Sequence, residues 1–106
     1  YYREPSPKLG QTLLRLGVIK YRFGVHKWSR DTLEHALAIL VIFEDDSSHG
    51  IAVCRACLGG ALYNCGELES ARDQLEKALP ITRNIKGQSG AMSDGVEMLL
   101  NNIRLM

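Results

Sequence analysis

Leu58 to Leu79, LGGALYNCGELESARDQLEKAL, decides how the rest of the chain is read. Gly59 and Gly60 sit inside an apolar run, Gly66 follows, and then comes a charged run of helical character. One reading of the glycines is a loop that cradles phosphate. That loop requires G-x-x-x-x-G-K-[ST] after a strand, and LGGALYNCG supplies neither. The other reading is two helices packed closely together, with the chain reversing at Gly66. A glycine inside a helix costs up to about 1 kcal/mol against alanine, so Gly59 needs a compensating reason, and close approach of a partner helix supplies one. Gly66 stands where a helix must end, a position suited to a left-handed backbone.

Moving outward, the stretch repeats. A shift of 42 residues superimposes Ser6 on Ser48, Leu16 on Leu58, Gly17 on Gly59, Tyr21 on Tyr63 and Gly24 on Gly66. In the following helices it aligns Arg30 with Arg72, Asp31 with Asp73, Leu33 with Leu75, Glu34 with Glu76, Ala36 with Ala78, Leu37 with Leu79 and Ile39 with Ile81. Twelve identities at one offset mark an internal repeat. A second shift carries Leu58 onto Leu100, whereas Gly59 falls on Asn101. The last helix is therefore expected to be a cap or the first helix of a truncated third unit.

No segment alternates apolar and polar residues as a strand does, so the expected fold class is all-α: an α-solenoid of antiparallel helix pairs. Ser6 is the expected N-cap of the first helix and Pro7 its first residue, with Gly24 as the stop. A second helix runs from about His26 to Phe43, burying Leu33, Ala36, Leu37, Ile39, Leu40 and Phe43. A third spans about Gly50 to Asn64, and a fourth about Glu67 to Ile85. Pro80 lies inside the fourth, where it removes a backbone bond at roughly 3 kcal/mol in an ordinary interior, so a kink is expected. The fifth covers about Met92 to Leu105. In domain terms this is one unit of 106 residues: repeats at 8–43 and 50–86, then a capping or partial-repeat helix at 91–106.

Composition narrows the function classes. The formal net charge is +1, which argues against a nucleic-acid or membrane-surface field. The longest apolar run, Ala36 to Phe43, is far too short to span a bilayer. Three cysteines without a secretory leader favour reduced thiols in an intracellular, cytoplasmic setting. The opening YYREPSP lacks Met, so a fragment of a longer protein is expected. Cys54 and Cys57 have C-x-x-C spacing, with Cys65 and His49 nearby, but mid-helix they read as small packing thiols and not as a zinc site. His26, His35 and His49 have no Ser or Cys partner at a catalytic spacing. Glu44, Asp45 and Asp46 lack the alternating ligands of a calcium loop and read as a solvated turn. Trp28 reads as a packing anchor between units. No catalytic residue, metal or cofactor is assigned.

These intervals resemble the tetratricopeptide repeat. In the second unit Leu58, Gly59, Leu62, Gly66, Leu68, Ala71, Leu75 and Ala78 match its signature. The first unit matches at Leu16, Gly17, Gly24, Leu33 and Ala36 and departs at Lys20, His26 and Ser29. The period of 42, against about 34 in the common form, is similar to the long-helix repeats of kinesin light chains, Pins-type adaptors and the tails of SMYD-type methyltransferases. The resemblance implies a protein-interaction scaffold or adaptor without catalysis, whose first helices line a concave groove for a partner's peptide or helix. It places Gln11, Leu14, Arg15, Val18, Tyr21 and Arg22 in that groove, with Val53, Ala56, Cys57, Gly60, Tyr63 and Asn64 from the second unit. Arg15 and Arg22 suit an acidic ligand, while Tyr21, Tyr63 and Asn64 offer stacking and hydrogen bonds. The family's clamp for chaperone C-terminal tails needs a Lys and two Asn where this chain has Leu14, Val18 and Cys57, so that ligand is not expected. Alternatives are an accessory or regulatory domain of a larger enzyme, and self-association. The last helix carries Met92, Val96, Met98, Leu99, Leu100, Ile103, Leu105 and Met106, more apolar groups than one capping face requires, so it is expected either to pack on the second unit and leave an exposed patch, or to join a partner or a second copy as a homo-oligomer.

Overall fold

The structure, a computed structural model, describes the backbone of residues 4–83 and 91–105, and the side chains from Gly95 onward in the second of these segments. It holds five helices: α1 (Pro7–Arg22), α2 (His26–Phe43), α3 (His49–Asn64), α4 (Leu68–Arg83) and α5 (Ala91–Arg104). No strand occurs among the described residues. The protein is all-α, built from packed helix pairs in a helical-repeat arrangement.

Local chemistry sets the boundaries. The Ser6 hydroxyl accepts the Leu9 amide at 3.1 Å, and Pro7 occupies the first helical position. Ser48 does the same for α3, accepting the Ile51 amide at 3.2 Å while donating to Glu44 at 2.8 Å. The two first helices also end alike. Gly24 and Gly66 have φ of +79° and +84°. At the first, the Gly24 amide donates to the Tyr21 carbonyl and the Val25 amide to that of Lys20. Forty-two residues on, Gly66 donates to Tyr63 and Glu67 to Leu62. This is the paired closure that satisfies the last carbonyls of a helix and turns the chain back.

The helix pairs meet at glycine. A Cβ on Gly17 would lie 2.6 Å from Leu33, and one on Gly59 would lie 2.6 Å from Leu75. The mid-helix glycines let the second helix of each pair seat a fully buried leucine against the first. Ser29 adds a buried hydroxyl donating to the Gly17 carbonyl at 2.8 Å. Leu33, Leu40, Ile51, Leu58, Leu75 and Leu100 are among the largest fully buried side chains, each worth about 1.5–3 kcal/mol of transfer free energy.

Between units, α3 packs on both α2 and α1, and α5 packs on both α4 and α3 in the same way. Val96 and Leu100 of α5 are buried like Cys54 and Leu58, their counterparts one period earlier. Thus α5 takes the place of a third unit's first helix. Arg30 pairs with Glu67 at 2.6 Å across the units, and Arg83 pairs with Glu97 between α4 and α5.

Several expectations need correction or narrowing. Phe43 is 44 % exposed and does not join the buried residues of α2. Trp28 does not anchor the units: it is 65 % exposed and lies under the Lys20 ammonium, 5.4 Å from its ring centre. The acidic turn is more than solvated, since Asp46 pairs with Arg55 at 3.6 Å and Glu44 accepts from Ser48. Helix α4 runs through Pro80 without a break as far as Arg83; its expected end at Ile85, like the second unit's end at residue 86, lies outside the described residues. So does Met106, and the side chain of Met92 is likewise not described.

Candidate functional site

The first helices α1, α3 and α5 lie side by side and expose a strip with two hollows among the described residues. The larger, about 580 Å³, is lined by Gln11, Leu14, Arg15, Val18 and Ile19 of α1 and His49, Gly50 and Val53 of α3. It forms because the α1–α3 seam carries short side chains at its mouth, Gly50 and Val53, where the α2–α3 seam carries leucines. Its floor is aliphatic and its rim carries Gln11, Arg15 and His49. The second, about 220 Å³, lies between Tyr21 of α1, Ala56 and Cys57 of α3, and Gly95, Val96, Met98 and Leu99 of α5.

The expected groove residues divide between these hollows and the packing around them. Gln11, Leu14, Arg15, Val18 and Val53 come together in the first, and Tyr21, Ala56 and Cys57 in the second. Gly60 is covered, since a side chain there would overlap the Tyr21 ring. Tyr63 packs against the first core cluster and does not line either hollow. Asn64 points to the helix ends, its amide 3.3 Å from His26 Nδ1. Arg22 is exposed and lines neither hollow, though its charge acts on the Cys57 thiol. The repeat signature missed Ile19, His49 and Gly50 at the first hollow and Gly95, Val96, Met98 and Leu99 at the second. His49 and Gly50 precede the matched segment of the second unit, and the last four belong to a helix with only Leu100 in common with the pattern.

Burial dominates the acid–base chemistry of the strip. The Cys57 thiol is pushed up to about 11 by desolvation, against the opposing pull of Arg22. Cys54, behind it, donates to the Leu33 carbonyl at 3.4 Å and is pushed up to about 12, again chiefly by burial. Tyr21 is also raised, first by burial and then by Cys57. These groups are neutral at physiological pH, so they present an apolar and weakly hydrogen-bonding floor instead of a thiolate nucleophile. Among the described residues no three His, Cys, Asp or Glu side chains gather to hold a metal, and no helix is long and apolar enough to cross a membrane.

Compared with known proteins, the chain matches no family model, no curated protein and no solved structure. The internal repeat and the geometry of its grooves are therefore what bear on function.

Proposed function

We propose that the chain is a tetratricopeptide-like interaction module that binds a peptide or helix of another protein along the strip of α1, α3 and α5. The observation that carries this reading is the aliphatic hollow of about 580 Å³ between two parallel first helices, rimmed by Arg15, in a chain whose 42-residue repeat is kept in three dimensions. An apolar cleft with a few polar groups at its rim is the usual form of a site that takes an anchoring side chain. The rim cation selects an acidic flank beside that anchor.

The test is a backbone-amide NMR titration with pools of acidic and basic peptides carrying aliphatic anchors. Saturable shifts at Gln11, Val18, Val53 and Met98 with an acidic pool are expected, weakened by Arg15→Glu and Val53→Asp. If no pool moves those amides saturably, the groove reading fails.

A second reading, self-association through the last helix, rests on Met98 and Leu105, which are exposed while Val96 and Leu100 are buried. Leu99 and Ile103 pack against the core and are poor probes of it. Sedimentation equilibrium of the chain beside Met98→Asp and Leu105→Asp decides the matter: a dimer dissolved by either substitution supports the reading, and a monomer throughout removes it.

A further inference from the structure

The repeat also states what belongs on the outer face of α1. Leu9, Thr12, Leu16, Ile19 and Phe23 fall on one side of that helix by their spacing, with Ile19 at its border with the α1–α3 hollow. One period later the same side of α3 is Ile51, Cys54, Leu58, Ala61 and Cys65, and α2 covers it: the Leu33 carbonyl accepts the Cys54 thiol, and Leu33, Ala36 and Leu40 share a core cluster with Ile51 and Leu58. Leu58 is 2 % exposed and Ala61 0 %, whereas Leu16 is 43 % exposed, Ile19 50 % and Phe23 80 %. Among the described residues the same surface is thus built twice and covered once.

Charge decides between occupants. Helix α1 carries Lys8, Arg15, Lys20 and Arg22 and no acidic residue. Arg15 and Lys8 border one edge of the apolar face and Lys20 the other, where it reaches over Trp28 and donates to Thr32 at 3.1 Å. Lys8, Arg15 and Arg22 make no ion pair among the described residues. Across the seam, Asp31 is the acidic residue beside Lys20 and Trp28, and it already pairs with Arg30. A second copy packing α1 against α1 would oppose these cations to one another. A second copy continuing the stack would need the far face of α4, which α5 fills.

We propose that this face docks an amphipathic helix of another protein, one whose leucine and alanine stripe is spaced as in α2 and is flanked by carboxylates. It adjoins the strip at Arg15 and Ile19 but is centred on Leu16 and Phe23, and it does not depend on that strip binding anything. The arriving helix would bury Leu16, Ile19 and Phe23 as α2 buries Leu58 and Ala61, and its acids would meet Arg15 and Lys20.

The probe is a fluorescein-labelled, tryptophan-free peptide of 18 residues, the length of α2. It carries leucine and alanine at the positions of Leu33, Ala36, Leu37 and Leu40, with glutamate on both flanks; a twin carries lysine there. Anisotropy measures affinity, and emission from Trp28, the single tryptophan, reports on the neighbouring edge. Saturable binding of the glutamate peptide with a Trp28 blue shift is expected. Binding should be about tenfold weaker for the lysine peptide and about tenfold weaker in Leu16→Glu and Phe23→Ser, with Val53→Asp without effect. Phe23 is so exposed that its variant keeps the fold even if Leu16→Glu does not. Equal binding of the two peptides, loss in Val53→Asp with retention in Phe23→Ser, or absence of binding would each overturn the proposal. A chain dimer dissolved by Phe23→Ser would overturn it too, in favour of a second copy.

Discussion

The two helix pairs share a plan and differ in what surrounds them. Gly17 with Leu33 and Gly59 with Leu75 make the same close contact, and Gly24 and Gly66 make the same turn. Yet α3 is buried on most sides between α1, α2, α4 and α5, while among the described residues α1 packs only on α2 and α3. Sequence at the outer positions follows the surroundings. Lys20, Phe23 and Thr12 in the first unit stand where the second has Leu62, Cys65 and Cys54. What is kept between the units is thus the geometry of one helix pair; what varies is the face each turns to its neighbours.

The sharpest way to break the comparison is to truncate one leucine in both places. Leu58→Ala removes a side chain 2 % exposed and leaves a cavity in the middle of the first core cluster, so a loss of about 2–4 kcal/mol is expected. Leu16→Ala, at the matching position, should lose less than about 1 kcal/mol because its site is already open to water. Urea unfolding of the two variants gives the difference directly. Equal losses would mean that the outer face of α1 is covered in solution.

The shared contact gives the next effect. Alanine at Gly17 or Gly59 improves helix propensity by up to about 1 kcal/mol but drives its Cβ into a buried leucine, and overpacking typically costs about 1–3 kcal/mol. Both variants should therefore be destabilised, by similar amounts. A stabilised Gly17→Ala beside a destabilised Gly59→Ala would show that the first unit yields where the second does not.

The helix pairs and their turns were legible in the sequence because they depend on local rules: a serine cap, a proline at the first turn, a glycine with positive φ. The mid-helix glycines were legible through repetition, since one such glycine is ambiguous and two at one offset are not. The strip was only half legible. Arg15, Val18 and Val53 meet as expected, but Tyr63 and Asn64 do not, because which residues line a hollow depends on the superhelical offset between α1 and α3. No single unit encodes that offset. Phe43 and Trp28 were misjudged for a related reason: an apolar side chain is buried only if its neighbours enclose it, and at Trp28 the Lys20 ammonium over the ring leaves it 65 % exposed.

The thiols of α3 provide a pH-dependent contrast, since α1 has Thr12 and Arg15 in place of Cys54 and Cys57. The folded-state values, about 12 and about 11, lie above the ordinary 9.0. Above pH 9 the unfolded chain loses these protons while the folded one keeps them, so stability is full below that pH and falls as pH rises toward 11–12. Urea midpoints at pH 8, 9 and 10 should decline, and the decline should be shallower in Cys57→Ala, taken relative to that variant's own value at pH 8. An unchanged slope would show that the Cys57 thiol is not desolvated and that water reaches the floor of the second hollow.

The smallest effect concerns the helix that begins an unfinished third unit. Gly95 of α5 lies in a helix, as Gly17 and Gly59 do, but a Cβ there meets nothing within 4 Å among the described residues. With no leucine to displace, Gly95→Ala should keep the propensity gain and stabilise the protein by up to about 1 kcal/mol. The sign of this change, opposite to that at Gly17 and Gly59, separates a glycine required by packing from one that is not. It is read from the urea midpoint, with the slope of the transition as a check on two-state behaviour. A destabilised Gly95→Ala would mean that another helix approaches α5 at Gly95. That is the side of α5 facing the second hollow, so in an associating chain the same substitution should also weaken the dimer seen by sedimentation.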